Sequence, residues 1–239
     1  QVPQAGLVTA QLLYPDGRIQ HAGVVLGLNG PADHPFIGEA IDAPGHMRRL
    51  QVDQNYSAVT AACLMIRRSI YLEVGGMDEQ AFKVSYNDVD LCLKVGQAGY
   101  LNVWTPHALV LHEGNVSQKA IDPHKQEAKR KRFVAEQDIM YERWLPLLAR
   151  APAYNANLSL VQRGGFKLTD NAISWRPLQS WRPLPTLLVH QADMQGCGHY
   201  RMIQPFIAMK LQGLADGMLS RGLMHVPDLE RYDPDSIVL

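Results

Sequence analysis

Two acidic side chains, Asp88 and Asp90, stand two residues apart where an apolar-periodic run begins. Asn87 is a good N-cap and Gly99 is a natural stop, so the sequence predicts a helix between them. Asp88 would then lie at the positive end of the helix dipole, which favours its ionised form. A carboxylate held there can accept a proton from an attacking hydroxyl group. The alternative interpretation is that Asp88 and Asp90 only cap the helix.

His112 is the second candidate for chemistry. A strand is predicted from Leu101 to Trp104, with an interruption at Thr105-Pro106, and it resumes over residues 108–111 directly before His112. Ligands of α/β sheets collect beyond the carboxyl ends of strands, which is where His112 would lie. The alternative is an ordinary histidine of the core or the surface.

The elements that must position these residues begin with a hairpin. The residues Pro15-Asp16-Gly17 strongly favour a turn, and they lie between two strand-like runs, 5–14 and 18–28. Residues 57–66 are apolar on both sides, which predicts a strand covered on both faces, and a short helix is predicted at 69–74.

A loop without periodicity separates the hairpin from that strand. Residues 29–54 are rich in Gly, Pro, Asp and His, which is typical of a binding loop or a lid. His34 and His46 lie in this loop and are interpreted as solvated side chains.

A long helix is predicted to start at Asp122-Pro123 and to run to Leu148. The basic run 129–132 lies on this helix and is interpreted as a solvent-exposed face, with contact to a phosphate as the alternative. Farther along, the strand 186–190, the turn 196–198 and the helix-like run 200–212 form the first part of another α/β unit. The mouth of that helix is a candidate phosphate site. The sequence therefore predicts an α/β protein with a mixed sheet, followed by a truncated second α/β unit.

Composition limits the classes of function. The chain has 239 residues, 46% of them hydrophobic, with 23 basic and 23 acidic side chains. This composition is globular, and the balanced charge argues against a dedicated nucleic-acid binder. The sequence shows neither a membrane-spanning apolar run nor a signal peptide. Cys63, Cys92 and Cys197 are widely separated and lack metal-type spacing, which predicts reduced, intracellular thiols.

The predicted domain organisation has three parts: residues 1–150, a linker at 151–185, and the start of a second α/β domain at 186–239. The linker contains Trp-Arg-Pro-Leu twice, at 175–178 and 181–184, and each proline disfavours helix for the residue before it. Both ends of the chain are interpreted as cut, so we expect a piece of a longer protein.

Residues 1–150 resemble the C-terminal half of family 2 glycosyltransferases of the GT-A fold. The matching blocks, in order, are LLYPDGRIQHAG at 12–23, NYSAVTAACLMIRR at 55–68, VGGMDE at 74–79, NDVDLCL at 87–93 and HEGNVS at 112–117. Several ordered blocks at sensible spacing are a more specific signal than any single one. Residues 196–204 resemble, over a much shorter stretch, the opening of a GT-B glycosyltransferase domain.

The resemblance implies inverting transfer of a sugar from a nucleotide-diphosphate donor to a hydroxyl of a saccharide or a lipid-linked saccharide. The general base of the family is the second acid of a Glu-Asp pair, which maps onto Asp88. The first member of the pair is Asn87 here, a departure that puts the acceptor contacts in doubt. Asp90 would cap the helix or touch the acceptor.

The resemblance also implies an acceptor pocket and a metal. Asn55, Tyr56 and Trp104 would line the pocket, because aromatic faces stack on sugar rings, and ordinary packing is the alternative. The divalent metal, Mn²⁺ or Mg²⁺, is held in the family by an Asp-x-Asp element and a later histidine, which His112 matches. The Asp-x-Asp element would lie before Gln1, so we expect little or no transferase activity from this piece alone.

Two other functions remain open at this point. One is a non-catalytic module that binds a sugar or a partner, degenerate at Asn87. The other is a metal-dependent hydrolase using His112 and Glu113, which lacks a second histidine at ligand spacing. The resemblance implies cell-surface polysaccharide synthesis in the cytoplasm, with peripheral association at the inner face of the cell membrane as an option.

Overall fold

The computed structural model describes residues 3–113, 123–162, 164–170, 173 and 181–239. The chain divides into two compact units, Gln1–Lys167 and Leu168–Leu239. Three predicted features lie outside the described residues: positions 114–117 of the last matching block, the Asp122 cap, and the first Trp-Arg-Pro-Leu copy at 175–178.

The first unit is built on a mixed sheet, which confirms the predicted α/β class. Its elements are β1 (Ala5–Leu13), β2 (Ile19–His21), β3 (Val25–Leu26), β4 (Ala32–Asp33), β5 (Gln54–Tyr56), β6 (Leu64–Ile66), α1 (Arg68–Glu73), α2 (Asn87–Gln97), β7 (Leu101–Leu111) and α3 (Pro123–Ala149), with 3₁₀ segments at His46–Gln51 and Ala61–Cys63. The sheet has the order β2-β1-β7-β5, and β6 also pairs with β1. Only β1 and β7 are parallel within it, and β3 and β4 form a separate two-stranded sheet.

The predicted hairpin is present, with a shorter return strand than the sequence indicates. Gly17 takes a positive φ of 82°, and the Tyr14 N–H donates to the Arg18 carbonyl across the turn at 2.9 Å. The strand β2 stops at His21, and the chain turns away at Gly23, where φ is 92°. A Cβ at Gly23 would lie 2.3 Å from Cε2 of Tyr56, so glycine is required by both the backbone and the packing.

The strand that delivers His112 is continuous. The predicted interruption at Thr105-Pro106 is instead a shift of register, because Ala10 pairs with Thr105 while Gln11 pairs with Leu109. The extra residues between those pairs are accommodated as an irregularity in the ladder, and the strand continues to Leu111. His112 therefore follows a strand end, as predicted.

The prediction of a strand covered on both faces at 57–66 is wrong. Ala58 and Val59 are buried, but Ala61–Cys63 is a 3₁₀ turn and β6 is short, with Met65 77% exposed. A run of small apolar residues does not by itself distinguish a buried strand from a partly exposed turn. The short helix after it and the long helix α3 are both confirmed, each to within one residue.

The core of the first unit lies where α2 and α3 pack with the sheet. Its largest fully buried side chains are Trp104, Phe82, Leu7, Ile19, Leu26, Leu28, Leu91, Met140, Leu148 and Leu160. Residues 151–167, the first part of the predicted linker, belong to this unit and add Ala151, Tyr154 and Leu160 to the core. None of the helices in the described part of the chain has the length and apolarity needed to cross a bilayer.

The second unit, Leu168–Leu239, contains a small parallel sheet with short helices. It contains β8 (Thr186–His190), α4 (Gly196–Gly198), a π-helical turn (His199–Ile203), α5 (Gln204–Leu211), β9 (Asp216–Ser220), α6 (Val226–Tyr232) and β10 (Ser236–Val238), with the strand order β10-β8-β9. The candidate phosphate site at its helix mouth is already filled by a side chain. Asp193 Oδ1 accepts hydrogen bonds from the N–H groups of Gln195 and Gly198 at 2.7 and 3.2 Å.

Candidate functional site

The start of α2 differs by one residue from the prediction. The N-cap is Tyr86, which holds a left-handed φ of 62°, and Asn87 is the first helical residue. Asn87 is thus inside the helix and not at its N-cap, and its Oδ1 accepts the N–H of the adjacent Asp88 at 2.8 Å. The helix ends at Gln97, and Gly99 takes the predicted left-handed conformation, with φ at 88°.

Asp88 lies in the first turn of α2 and is partly buried. Its Oδ2 accepts a hydrogen bond from the Ala61 N–H at 3.0 Å, and its Oδ1 accepts one from the Val89 N–H at 2.9 Å. Hydrogen bonds from N–H groups to an ionised carboxylate are among the stronger ones in proteins. The Asp88 carboxylate is thus oriented by backbone groups from two segments of the chain.

A pair of histidines lies close to Asp88. His21 Nδ1 and His34 Nδ1 are 2.9 Å apart, with the rings edge to face. Burial lowers the pKa of His34, against smaller opposing effects of the Asp33 and Asp88 carboxylates. His34 was expected to be a solvated loop residue, and this expectation is wrong because the ring packs against the buried His21.

His112 is oriented by Gln20 of β2. The Gln20 Oε1 lies 2.7 Å from His112 Nδ1, and the Gln20 Nε2 donates to the His112 carbonyl at 3.2 Å. An amide oxygen only accepts, so Nδ1 carries the proton and the Nε2 lone pair of a neutral ring is left for another partner. Successive side chains of a strand point to opposite faces, so the Gln20 side chain points away from the face of β2 that carries the buried Ile19 and His21. The His112 ring, which is bonded to Gln20, therefore lies on the other side of β2 from the pair His21 and His34.

His112 is a candidate ligand for the predicted metal. His112 Nε2 could bind a divalent cation, with Gln20 holding the ring as outer-shell partners of metal-bound histidines do. Within the part of the chain that the structure describes, no group of three or more His, Cys, Asp or Glu side chains could hold a metal ion. In the same residues no hydrogen bond or ion pair joins His112 to Asp88. The described residues alone therefore do not make a metal site.

Asp90 does not face an acceptor, and its predicted acceptor contact is wrong. Its side chain is 0% exposed. Asp90 Oδ1 accepts hydrogen bonds from Arg143 and from Trp144 Nε1, each at 2.9 Å, and Oδ2 lies 3.0 Å from Lys94 Nζ. The buried Asp90 carboxylate thus fastens α2 to α3 through an ion pair with the partly exposed Arg143, which is a structural role.

The three residues predicted to line an acceptor pocket separate into two groups. Trp104 is 0% exposed, so its predicted stacking on a sugar is wrong, and its ring packs edge to face on Tyr56 at 6.5 Å. Asn55 and Tyr56 do line a cavity, of about 900 Å³. That cavity lies against the second half of α2, at Cys92–Gln97, whereas Asp88 is at the beginning of the helix.

Sequence reasoning missed Glu136, which is 3% exposed. Its carboxylate accepts the backbone N–H groups of Lys83, Val84 and Ser85 at 3.1, 3.3 and 2.7 Å. These residues lead into α2, so Glu136 holds the segment that places Asp88. A signal was present, because Glu136 stands four residues before Met140, on the apolar stripe of α3.

No family model matches the sequence. The chain is 49% identical over 170 residues to uncharacterized protein y4gI of Sinorhizobium fredii, a match that covers 71% of this chain and 18% of that protein. It is 39% identical over 124 residues to O-antigen biosynthesis protein RfbC of Myxococcus xanthus, covering 50% of this chain and 9% of that protein.

A shorter match, 46% identical over 54 residues, is with N-acetylglucosaminyl-diphospho-decaprenol L-rhamnosyltransferase of Mycobacterium tuberculosis. It covers 23% of this chain and 17% of that protein. The chain therefore spans less than a fifth of the length of each of these three relatives.

Proposed function

We propose that this chain takes part in glycosyl transfer during the synthesis of a cell-surface polysaccharide. One relative is named for O-antigen biosynthesis and another for the transfer of rhamnose, which supports this reaction class. The single structural observation that carries the proposal is the placement of Asp88, a carboxylate oriented by the Ala61 and Val89 N–H groups in the first turn of α2.

In the proposed reaction, Asp88 acts as general base toward the acceptor hydroxyl. Its carboxylate takes the proton as the hydroxyl oxygen forms a bond to the anomeric carbon of the donor sugar. The bond from that carbon to the diphosphate oxygen breaks on the opposite face, so the nucleoside diphosphate leaves with the electron pair and the configuration is inverted. The carboxylate therefore needs to be ionised before each turnover.

The proposal keeps the predicted cation, Mn²⁺ or Mg²⁺, in a supporting role. When bound, such an ion offsets negative charge on the leaving diphosphate. His112 would supply one ligand through Nε2, and the other ligands would come from outside the described residues. A lipid-linked acceptor would bring this cytoplasmic reaction to the inner face of the cell membrane.

A second candidate function is a non-catalytic module that binds sugar. It is favoured by one observation: Asn55 and Tyr56, both predicted to contact the acceptor, line a cavity at the far end of α2 from Asp88. A module of this kind would bind a saccharide without needing a base.

The test is the variant Asp88→Asn in the full-length protein that carries this chain. Asn keeps an oxygen that can accept the Ala61 N–H but cannot take a proton, so transfer from a panel of nucleotide-diphosphate sugars should fall by about 100- to 10,000-fold. Donor binding, measured as a thermal shift, should stay unchanged. The matched control is Asp53→Asn, at an exposed position outside the site, which should transfer at the wild-type rate.

Two results would contradict the proposal. Full activity of Asp88→Asn would remove Asp88 from the reaction. A wild-type protein that binds saccharides but transfers none of the donor sugars in the panel would favour the non-catalytic module.

A further inference from the structure

Another cavity of the first unit lies against the basic part of α3. It has a volume of about 420 Å³, and α3 and the segment that enters α2 form its walls. Its lining includes Val84, Ser85, Lys129, Arg130, Arg132 and Phe133. A cavity of this size is within the usual range for small-molecule sites, about 300–1,000 Å³. It shares no lining residue with the cavity beside Asn55 and Tyr56.

The charged side chains of this cavity have one sign. Lys129, Arg130 and Arg132 line it, and the lining that the structure describes contains no Asp or Glu. The fourth cation of the basic run, Lys131, is not among the lining residues, and its side chain is 76% exposed. Three cations around one cavity favour an anionic ligand, and the arginine guanidinium matches the geometry of a phosphate group.

The neighbouring carboxylates leave these cations available. Glu127 accepts hydrogen bonds from Arg130 at 3.1 and 3.3 Å. The pair is exposed, 74% for the Arg130 side chain and 48% for Glu127, and exposed pairs contribute little, so Arg130 can exchange Glu127 for a ligand. Arg132 Nε lies 3.9 Å from Glu136, whose carboxylate already accepts three backbone N–H groups.

The walls of the cavity are held in place and are partly apolar. Glu136 fixes the backbone of residues 83–85, and the ring centroids of Phe133 and Tyr86 are 5.6 Å apart. Val84 and Phe133 remain 41% and 43% exposed, so hydrocarbon surface borders the three cations. This combination suits a phosphate group that carries a hydrocarbon chain.

The cavity is close to the proposed base. Ser85 stands three residues before Asp88, so the Cα atoms of the two are at most about 11 Å apart. The Ser85 hydroxyl can donate to a phosphate oxygen. In the proposed reaction the donor diphosphate leaves on the face of the sugar opposite to the base, whereas the acceptor approaches on the side of the base. A phosphate bound beside the segment that leads to Asp88 therefore fits the acceptor better than the donor.

We propose that this cavity binds the phosphate group of an acceptor that is joined to an apolar carrier. Lys129, Arg130 and Arg132 would contact the phosphate oxygens, and Val84 and Phe133 would contact the first part of the carrier chain. Phosphate binding in this cavity does not require transfer, but the assignment of that phosphate to an acceptor rests on the proposed function.

The experiment measures binding of octyl phosphate to the full-length protein by calorimetry, with inorganic phosphate and octyl glucoside for comparison. Octyl phosphate should bind more tightly than either, because it alone presents both a phosphate group and a hydrocarbon chain. Lys129→Gln and Arg130→Gln each remove one charge from the cavity and should raise the Kd of octyl phosphate about tenfold. The matched control is Lys131→Gln, the same loss of charge beside the cavity on the same helix, which should bind as wild type does.

Two further measurements identify the source of the phosphate. A saturating nucleotide-diphosphate sugar should leave octyl phosphate bound, because the donor would occupy a different site. Vesicles of phosphatidylcholine and phosphatidylglycerol in equal parts separate a site from a charged surface, since an anionic membrane attracts every exposed cation near it. Asp88→Asn should keep full octyl phosphate binding, so failure of this proposal is distinguishable from failure of the proposed transfer.

The proposal fails in any of three cases. The first is that octyl phosphate does not bind, whether or not the anionic vesicles do. The second is that Lys131→Gln weakens octyl phosphate or vesicle binding as much as Arg130→Gln does, because the basic run would then act as a diffuse surface charge. The third is that the nucleotide-diphosphate sugar displaces octyl phosphate, because the cavity would then belong to the donor site.

Discussion

The carboxylate of Glu136 lies 2.7 Å from the backbone nitrogen of Ser85, three residues before Asp88 in the chain. Glu136 belongs to α3 and Ser85 to the segment that enters α2, so one side chain ties the long helix to the approach of the proposed base. The same carboxylate accepts the N–H groups of Lys83 and Val84. The position of Asp88 thus depends on a residue more than forty positions away in sequence.

The first prediction concerns Glu136→Gln. A carboxamide keeps one acceptor oxygen and turns an NH₂ group toward N–H groups that need an acceptor, so the free energy of unfolding should fall by about 1–3 kcal/mol. Urea unfolding measures this loss. In the full-length protein, kcat for transfer should fall at a temperature where the variant is fully folded, while donor KM stays close to wild type.

The control for that prediction is Glu142→Gln, the same change at an exposed position of the same helix. It should leave both stability and kcat unchanged. If Glu136→Gln lowered stability but left kcat intact, Glu136 would support the fold without positioning Asp88.

Local sequence chemistry accounts for the elements that the sequence predicted well. Gly17 fixes the first turn, Gly99 ends α2, and the apolar run before His112 forms the strand that delivers it. These features depend on backbone preferences and on periodicity, which are readable along the chain. The predicted base Asp88 also lies in the first turn of α2, within one residue of the expected helix start.

The features that sequence reasoning missed depend on contacts between distant segments. Asp90 is buried because Arg143 and Trp144 reach it from α3, and the sequence does not reveal that α3 crosses α2 there. Trp104 has the residue type of a sugar-stacking platform, but the sheet turns it into the core. His34 pairs with His21 across a loop with no periodicity, so spacing gave no sign of it.

A second prediction follows from the burial of Asp90. Asp90→Asn would leave Arg143 and Lys94 beside a neutral group, but both cations are partly exposed and Arg143 keeps its pairing with Asp78 at 3.0 Å. The expected cost is therefore that of weakened hydrogen bonds to a charged group, about 1.5–3 kcal/mol. We expect a loss toward the lower end of that range, because an Asn oxygen can still accept the Trp144 N–H. Chemical unfolding monitored by tryptophan fluorescence measures it.

For comparison, Asp16→Asn removes a carboxylate that pairs with Arg18 at the surface, 4.0 Å away. Pairs of this kind contribute little, so this variant should unfold with the wild-type midpoint. Equal effects of the two substitutions would mean that the Asp90 network does not fasten α2 to α3 as described.

The third prediction is a pH dependence of stability that originates in the His21–His34 pair. Burial lowers the pKa of His21, with a further lowering by His34, and burial also lowers the pKa of His34. Below the unfolded pKa of about 6.5 the unfolded chain binds protons that the folded chain does not. The free energy of unfolding should therefore fall as pH drops below about 6.5, by at most roughly 1.4 kcal/mol per pH unit for each histidine.

Urea unfolding at about pH 7.5 and about pH 5.5 tests the pair against variants. His34→Gln removes one of the two rings and keeps a side chain that can bond to His21 Nδ1, so it should lose less stability on acidification than wild type. His107→Gln removes an exposed imidazole of β7 and should behave as wild type does. If His34→Gln lost as much stability between the two pH values as wild type does, the pH dependence would originate in other groups.

The last prediction concerns Gln20, which holds the His112 ring through Nδ1 at 2.7 Å. If His112 Nε2 binds the predicted Mn²⁺, loss of this outer-shell partner in Gln20→Leu should weaken Mn²⁺ binding to the full-length protein by about 10- to 100-fold. Calorimetry or the paramagnetic broadening of water protons measures the affinity. His112→Ala should lose more, whereas His107→Ala, which changes an exposed histidine of β7, should lose nothing. Unchanged Mn²⁺ affinity in His112→Ala would show that the ring bonded to Gln20 is not a ligand.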